Sequence, residues 1–168
     1  VLLMAQAYPA SQFVGYDVHR ASVETATRRA VDAGLSDRVR FEVGHCHGYP
    51  ERDVDVVTFF DAFHDLGDPV GAAAHARQSL AADGTLVLVE PRAADDLATT
   101  IGTVPMAAFG FAASTFLCTP NSLSQPVGRA LGALSGEAAL REVLTEAGFS
   151  SVRRAAENDV NMVIEARP

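Results

Sequence analysis

FVGYDVH, residues 13–19, decides the fold, because an apolar strand-like run leads directly into an acid, Asp17. In nucleotide-binding α/β proteins, an acid at the end of a strand often accepts hydrogen bonds from ribose hydroxyls. Such an acid usually follows a glycine-rich loop one strand earlier, and residues 1–12 contain no glycine. Asp17 is therefore a candidate ribose ligand without its usual companion loop. The alternative is that it only caps the next helix.

The rest of the sequence alternates between two hydrophobic periodicities. Apolar runs of strand character lie at residues 13–17, 38–43, 53–60, 85–90, 151–155 and 161–166. Helical spacing predicts helices over residues 1–7, 22–33, 69–82 and 135–147, with two or three short helices inside 93–135. This alternation favours an α/β fold with a doubly wound, mainly parallel sheet. Two successive strands at the end favour an antiparallel hairpin.

Capping residues and apolar content refine these elements. Asp68 is an N-cap acceptor directly before Pro69, and Ser135 is predicted to cap the last long helix. Gly34 and Gly148 stand where C-cap glycines belong. The run DVDVVTFF, residues 53–60, is almost continuously apolar, so we expect a strand buried on both faces.

Composition excludes several classes of function. The 168 residues carry a net charge of −8, and all 13 basic residues are arginine. An acidic protein without basic clusters is not expected to bind nucleic acid or an anionic membrane. The absence of lysine excludes Schiff-base chemistry, a P-loop lysine and the Tyr/Lys pair of short-chain dehydrogenases. No apolar run approaches the ~20 residues of a membrane span, and the start lacks a signal peptide's basic region. We therefore expect a cytoplasmic protein.

The two cysteines, Cys46 and Cys118, give neither a disulfide framework nor metal-ligand spacing. Free thiols in a reducing compartment are expected. Adjacent residues on one loop rarely converge on one ion. The run HCH, residues 45–47, is therefore not interpreted as a metal site, and no metal is predicted.

Four stretches together resemble the class I S-adenosylmethionine (SAM)-dependent methyltransferases. Residues 13–34 resemble the second motif of that family, and VRFEVGHCHGYP (39–50) resembles the third. DVDVVTFFDAFHDLGDP (53–69) resembles the fourth motif and LAADGTLVLVEP (80–91) the fifth. The resemblance covers nearly the whole chain and implies a Rossmann-like sheet with a C-terminal antiparallel hairpin. It also implies SAM as the cofactor and methyl transfer to an O or N atom of a small molecule.

The resemblance assigns cofactor residues by motif. Asp17 would hold the ribose hydroxyls of SAM, and Val18 would pack on the adenine. In the third motif, where the family commonly has an acid, this sequence has His45 and Cys46, which would line the adenine site instead. The fourth motif places two further residues, Phe60 and Asp61, at the methionine end.

Candidate catalytic residues follow in the fourth motif. His64 and Asp65 are the strong acid/base candidates there, since an imidazole with a pKa near 6.5 can take a proton from a hydroxyl or amine. The alternative is that His64 only shapes its loop. Glu90 and Arg92, after the fifth motif, either touch substrate or pair with each other. In the insertion, about residues 93–135, which the resemblance implies is a substrate lid, Phe109, Phe116 and Asn121 are candidate substrate contacts, or the aromatic residues form a satellite core.

The family's first motif, a strand followed by a glycine-rich loop, has no counterpart in this sequence. We expect it to precede Val1. The chain would then be a single truncated methyltransferase domain, residues 1–168, that lacks the first central strand and binds SAM weakly alone. FDAFHDLGDP (60–69) and NMVIEARP (161–168) more narrowly resemble a bacterial subgroup with an N-terminal winged-helix segment.

That subgroup leaves a second function open, a non-catalytic SAM- or effector-binding domain of a transcriptional regulator. An NAD-dependent dehydrogenase shares the strand-end acid, but the C-terminal hairpin and the FDAFHD run argue against it. A small-molecule substrate is the expected partner, and a homodimer is a further expectation.

Overall fold

A computed structural model describes all 168 residues. They form two compact units, Val1–Pro50 (the first unit) and Glu51–Pro168 (the second unit). The expectation that residues 1–168 form one domain stays a prediction. None of the helices combines the length and the apolar character that crossing a bilayer requires.

The first unit contains one pair of parallel strands. Its elements are α1 (Leu2–Ala7), β1 (Phe13–Asp17), α2 (Arg20–Asp32) and β2 (Val39–Val43). In the ladder, Phe13 lies opposite Val39 and Asp17 opposite Val43, so both strands end at the same edge. As predicted, Gly34 follows α2 with a φ of +66°, a conformation that glycine adopts without strain.

The second unit contains the other four strands and most of the helices. Its elements are β3 (Val54–Phe60), a 3₁₀ turn (Phe63–Asp65), α3 (Pro69–Ser79), β4 (Leu80–Pro91), α4 (Leu97–Thr103), α5 (Ala107–Ala113), a π-helical turn (Ser114–Cys118), α6 (Thr119–Leu123), α7 (Gly136–Glu146), β5 (Ser151–Glu157) and β6 (Asn161–Arg167). The strand order is β3-β4-β6-β5, in which β3 and β4 are parallel and the remaining pairs are antiparallel. The predicted C-terminal hairpin is confirmed.

One face of this sheet carries the core of the second unit. Leu86 and Leu88 of β4 and Ile164 of β6 are fully buried and share a cluster with α3 and α7. Alternate residues of a strand point to the same face. Glu90 therefore continues the row of Leu86 and Leu88, and a carboxylate enters the edge of the apolar core.

One predicted helix end and one predicted capping contact are wrong. Helix α3 ends at Ser79 instead of residue 82, because the chain turns extended at Leu80 and begins β4 there, with a register shift opposite Val54. Ser135 makes no capping hydrogen bond to α7. Asp95 replaces it, since its Oδ1 accepts a hydrogen bond of 2.8 Å from the backbone N–H of Ala138.

The predicted burial of residues 53–60 on both faces is also wrong. Strand β3 pairs only with β4, so it is an edge strand of the four-stranded sheet. Val56 is 51% exposed, and Phe60 is similarly uncovered. An apolar sequence therefore predicts the strand correctly but overstates how much of it this unit covers.

Candidate active site

In the first unit, Asp17 lies at the carboxyl edge of the parallel strand pair. It is exposed, and its Oδ1 accepts a hydrogen bond of 2.7 Å from the backbone N–H of His19, the N-cap residue of α2. The capping role is therefore present. An ionised carboxylate offers about four lone-pair sites. Asp17 thus retains acceptor capacity for a ligand's vicinal hydroxyls.

The other cofactor candidates of this unit lie on two loops at the same edge. Val18 follows Asp17 directly and is exposed. The second loop begins at Gly44, whose N–H donates to the backbone oxygen of Asp17 at 3.1 Å. His45 on that loop is exposed, and Cys46 is partly buried. The structure therefore brings all four cofactor candidates of this unit to one edge.

Sequence reasoning missed an aromatic pair that supports this edge. The rings of Tyr16 and Tyr49 stack with their centroids 5.5 Å apart. A Cβ on Gly44 would lie only 2.8 Å from the ring of Tyr16. The loop after β2 therefore returns tightly over β1, and only glycine fits at its first position. Tyr16 lies one residue before Asp17, and Tyr49 lies five residues after Gly44. This spacing predicts a contact between the two rings only when the parallel register of β1 and β2 is known.

In the second unit, the residues after β3 make a sharp turn. Asp61 adopts a φ of +51°, and its N–H donates to the backbone oxygen of Val89 at 2.7 Å. Left-handed backbone is uncommon for residues other than glycine, although Asp tolerates it better than most. Phe60 and Asp61 are both exposed at this turn, where β3 leaves the sheet. This is the carboxyl end of a parallel strand, the edge at which open α/β sheets bind ligands.

Glu90 organises the segment that follows this turn. One of its oxygens accepts hydrogen bonds from the N–H groups of Ala62 (3.2 Å) and Phe63 (2.9 Å). Its other oxygen is hydrogen-bonded to Nδ1 of His64. Glu90 is 1% exposed and His64 is 3% exposed, so this is a buried carboxylate–imidazole pair. The predicted alternative that Glu90 pairs with Arg92 is wrong, because Arg92 lies 3.7 Å from Glu157 instead.

The pairing fixes the orientation and raises the pKa of the His64 ring. Burial lowers the pKa of His64, but the hydrogen bond and charge of Glu90, with the charges of Asp65 and Asp61, raise the pKa above its usual 6.5. In neutral His64, a proton on Nδ1 is shared with Glu90, which leaves the lone pair on Nε2. The pair therefore fixes the tautomer of the neutral ring, and its loop is shaped by the same contact.

Asp65 and Cys118 lie beside the free nitrogen of that ring. Oδ1 of Asp65 is 3.5 Å from Nε2 of His64, is buried, and accepts no hydrogen bond. Ligand atoms of His64, Asp65 and Cys118 all lie within 4.8 Å of one another. Burial raises the pKa of the Cys118 thiol to about 11, and the hydrogen bond of the thiol to Asp65 and the charge of that carboxylate act in the same direction. Cys118 is therefore a protonated thiol at neutral pH.

The predicted insertion is hydrogen-bonded to the loop that carries His64 and Asp65. Asn121 and Gln125 donate hydrogen bonds to the backbone oxygen of Asp65, at 3.4 and 2.9 Å. Ser122 is fully buried and donates to the oxygen of Leu66 at 2.8 Å. The contact of the predicted substrate residue Asn121 is therefore with the loop that carries His64 and Asp65.

The predicted aromatic residues of the insertion lie at the surface. Phe109 is 67% exposed and Phe116 is 79% exposed. They therefore form no satellite core. Their position on the π-helical turn and the helix before it leaves them available to a ligand, and their role in substrate binding stays a prediction.

A family model described as a methyltransferase domain matches residues 1–131. No curated protein matches the chain. The fold is shared with many solved structures. PigF, solved with SAH, superposes with a TM-score of 0.74 at 16% identity, covering 99% of this chain and 46% of its own. At such identities the likeness shows the fold alone, and it confirms the predicted α/β, Rossmann-like class.

Two further structures share the fold and were solved with aromatic molecules. One is an O-methyltransferase family 2 protein from Planctomyces limnophilus DSM 3776 in complex with apigenin (TM-score 0.74, 18% identity, covering 98% of this chain and 45% of that one). The other is an O-methyltransferase from neocarzinostatin biosynthesis with S-adenosyl-L-homocysteine and 1,4-dihydroxy-2-naphthoic acid (TM-score 0.73, 19% identity, covering 99% of this chain and 44% of that one). The chain spans less than half the length of these structures. Because the family match covers residues 1–131 of 168, the chain belongs to the methyltransferase domain family.

Proposed function

We propose that the protein to which this chain belongs transfers the methyl group of SAM to a hydroxyl or amine of a small molecule. The observation that carries the proposal is the buried His64–Glu90 pair, which leaves Nε2 of His64 as a base at the carboxyl end of β3. Family membership and the SAM-related ligands of the structural neighbours support the cofactor.

Residues at two strand ends fit such a cofactor. Asp17 offers an exposed carboxylate at the end of a parallel strand, which suits a ribose with two vicinal hydroxyls. Val18 offers an exposed apolar surface beside it, and His45 and Cys46 line the next loop. When bound, SAM supplies an electrophilic methyl group on a sulfonium whose departure is favoured because its charge is lost.

The chain's own residues then position and deprotonate the acceptor. His64 accepts the acceptor's proton on Nε2 as the acceptor atom forms its new bond to carbon, and Glu90 stabilises the resulting imidazolium. Asp65 adds a negative charge 3.5 Å from that nitrogen. Since general-base assistance contributes about 10²–10⁴-fold, the remaining acceleration would come from proximity and orientation.

An aromatic hydroxyl is the acceptor class we favour. Two structural neighbours were solved with apigenin or 1,4-dihydroxy-2-naphthoic acid, both of which carry phenolic hydroxyls. In this chain the insertion presents the exposed rings of Phe109 and Phe116, and flat aromatic surfaces stack on aromatic ligands. We expect Asn121 to act on such a ligand through the loop that it holds.

The test is methyl transfer by the full-length protein with labelled SAM and a panel of phenols and amines. We expect label in a phenolic product and a loss of about 10²-fold or more in kcat for His64→Asn. His75→Asn, which changes the other histidine of the second unit, is the matched control and should keep its rate. Binding of SAM without transfer to any acceptor would contradict the enzyme and favour the regulator's sensor domain.

We further propose a glycine-rich strand–loop before Val1, a winged-helix segment, a homodimer and a cytoplasmic location for the full-length protein. If the glycine-rich loop is needed for the cofactor, isothermal titration of residues 1–168 with SAM should show weak or no binding. Micromolar affinity for the isolated chain would contradict it.

A further inference from the structure

We propose that His64, Asp65 and Cys118 form a binding site for a divalent transition-metal ion, with Zn²⁺ as the best match. The three side chains supply one nitrogen, one oxygen and one sulfur ligand atom, all within 4.8 Å of one another. This mixed set of donors is typical of Zn²⁺, whereas Mg²⁺ and Ca²⁺ prefer oxygen alone.

The separation of the first two donors suits coordination better than a direct hydrogen bond. Nε2 of His64 and Oδ1 of Asp65 are 3.5 Å apart, at the outer limit of a hydrogen bond, and Oδ1 has no hydrogen-bond donor although it is buried. Two ligands of a tetrahedral zinc ion, with bonds of about 2.0–2.1 Å, lie roughly 3.3–3.4 Å apart. An ion between these atoms would coordinate a buried oxygen that accepts no hydrogen bond and lies in a long ion pair with His64.

Nδ1 of His64 has the hydrogen-bond partner that a metal-binding histidine requires. Such a histidine almost always donates its second ring N–H to a carboxylate or a carbonyl, which fixes the tautomer and orients the ring. Glu90 is that carboxylate, since it is bonded to Nδ1 of His64 and is itself held by two backbone N–H groups. The lone pair of Nε2 is thereby directed to the side on which Asp65 and Cys118 lie.

The third donor comes from a different segment whose position is fixed. Cys118 ends the π-helical turn, a rare conformation that often occurs at functional sites. Helix α6 begins at the next residue, and its Ser122 and the adjoining Gln125 bond to the backbone oxygens of Leu66 and Asp65. The cysteine is partly exposed, so an ion has access from solvent.

Three protein ligands leave a fourth position for water or an acceptor atom, as in catalytic zinc sites. The ion and a transferred proton would compete for the same lone pair of Nε2. A zinc-loaded protein therefore has no free base at His64, a consequence that rests on the proposed function. The binding of the metal does not depend on that function, so the test measures binding alone.

The experiment is titration of metal-free protein with Zn²⁺ against a chromophoric chelator, and with Co²⁺ as a spectroscopic probe. We expect one Zn²⁺ per chain and a thiolate-to-Co²⁺ charge-transfer band. Cys118→Ser should remove the band and weaken Zn²⁺ binding more than about tenfold, and Glu90→Gln should weaken it about 10–100-fold. Cys46→Ser, which removes the other free thiol, should change neither quantity.

Absence of stoichiometric binding would overturn the proposal and leave Asp65 as a carboxylate beside an imidazolium. Loss of the band in Cys46→Ser, or its persistence in Cys118→Ser, would also overturn it. Asp65→Asn changes a partly exposed side chain and guards against a folding failure of the cysteine variant. Its circular dichroism should be unchanged while its Zn²⁺ affinity falls, and an unchanged affinity counts against the site.

Discussion

Glu90 and His64 lie 26 residues apart in sequence and are joined in the interior of the second unit. The carboxylate serves three donors, because it also accepts the N–H groups of Ala62 and Phe63. Strand β4 thereby fixes the backbone of the loop that follows β3 as well as the ring on that loop. The conformation of this loop and the orientation of the His64 ring therefore depend on the same side chain.

Truncation of Glu90 should destabilise the second unit strongly. Glu90→Ala leaves the buried imidazole, the buried N–H of Phe63 and the partly buried N–H of Ala62 without their acceptor, and breaking a buried pair in this way costs about 3–5 kcal/mol. The measurement is the urea midpoint followed by circular dichroism. Glu142→Ala removes a carboxylate that is 73% exposed and pairs with Arg129. A surface pair contributes about 0–1 kcal/mol, so similar losses in both variants would contradict the buried-pair interpretation.

A conservative change at the same position should separate stability from catalysis. In Glu90→Gln the amide oxygen still accepts from Ala62 and Phe63, but the amide N–H now donates to Nδ1 of His64. The ring proton then moves to Nε2, which removes the base. We expect the methyl-transfer rate of the full-length protein to fall at least tenfold while the urea midpoint changes little. A rate equal to that of wild type would show that the tautomer of His64 is unimportant.

Gly67 should tolerate no side chain. A Cβ there would lie 2.5 Å from Cβ of Gln125 and 2.6 Å from the backbone oxygen of Pro126. Gly67→Ala must therefore separate the loop that carries His64 and Asp65 from the insertion. We expect a fall in melting temperature and a loss of about 1–3 kcal/mol in the free energy of unfolding. Gly102→Ala is the matched control. It lies within α4 with nothing within 4 Å of its Cβ, so alanine should stabilise by about 0.5–1 kcal/mol.

The N-cap of α3 offers a simpler test of local stability. Oδ1 of Asp68 accepts a hydrogen bond of 2.8 Å from the N–H of Gly71, and Pro69 occupies the first helical turn. Asp68→Ala should lower the free energy of unfolding by about 0.5–2 kcal/mol, whereas Asp68→Asn keeps a capping oxygen and should lose much less. Equal losses in a denaturant titration would show that the cap contributes nothing.

The ion pair on β5 should depend on pH in a defined direction. The hydrogen bond from Arg154 is the main cause that lowers the pKa of Glu157 below its ordinary 4.5. A lowered pKa stabilises the fold above the unfolded value, and the contribution is lost as pH falls through the folded value. The melting temperature of Glu157→Gln should therefore lie below wild type at pH 6, and the difference should shrink as pH falls below 4.5 through the lowered folded value. Glu24→Gln, an exposed position on α2, should show no such convergence.

Much of the fold was predictable because local signals and tertiary structure agree. The strand periodicities, the short helices between residues 93 and 135 and the C-terminal hairpin are all confirmed. Errors arose where a tertiary contact replaced the local one. Asp95 caps α7 in place of Ser135, and its place near the N-terminus of α7 cannot be read from a chain separation of 43 residues.

The reactive residue types of the candidate site were predictable from the sequence, but the contacts between them were not. His64 and Asp65 follow an apolar strand, so the sequence identifies them as reactive groups. The partner of His64 was missed, although a period of two in TLVLVE places Glu90 on the same face as Leu86 and Leu88. A carboxylate on an apolar face requires a buried donor, and that requirement was the available signal. The sequence held no such signal for the position of Cys118 beside His64, because that position depends on a π-helical turn.

Strand β4 is hydrogen-bonded on both sides, to β3 and to β6. In hydrogen-exchange terms, we expect its central amides to exchange only when the whole second unit opens, and the short helices of the insertion to open at lower free energy. The backbone amide of Glu90 lies on this strand, so we expect it to exchange slowly. The imidazole of His64 is therefore bonded to the strand that we expect to open last, so the ring should keep its orientation when shorter elements of the unit open locally.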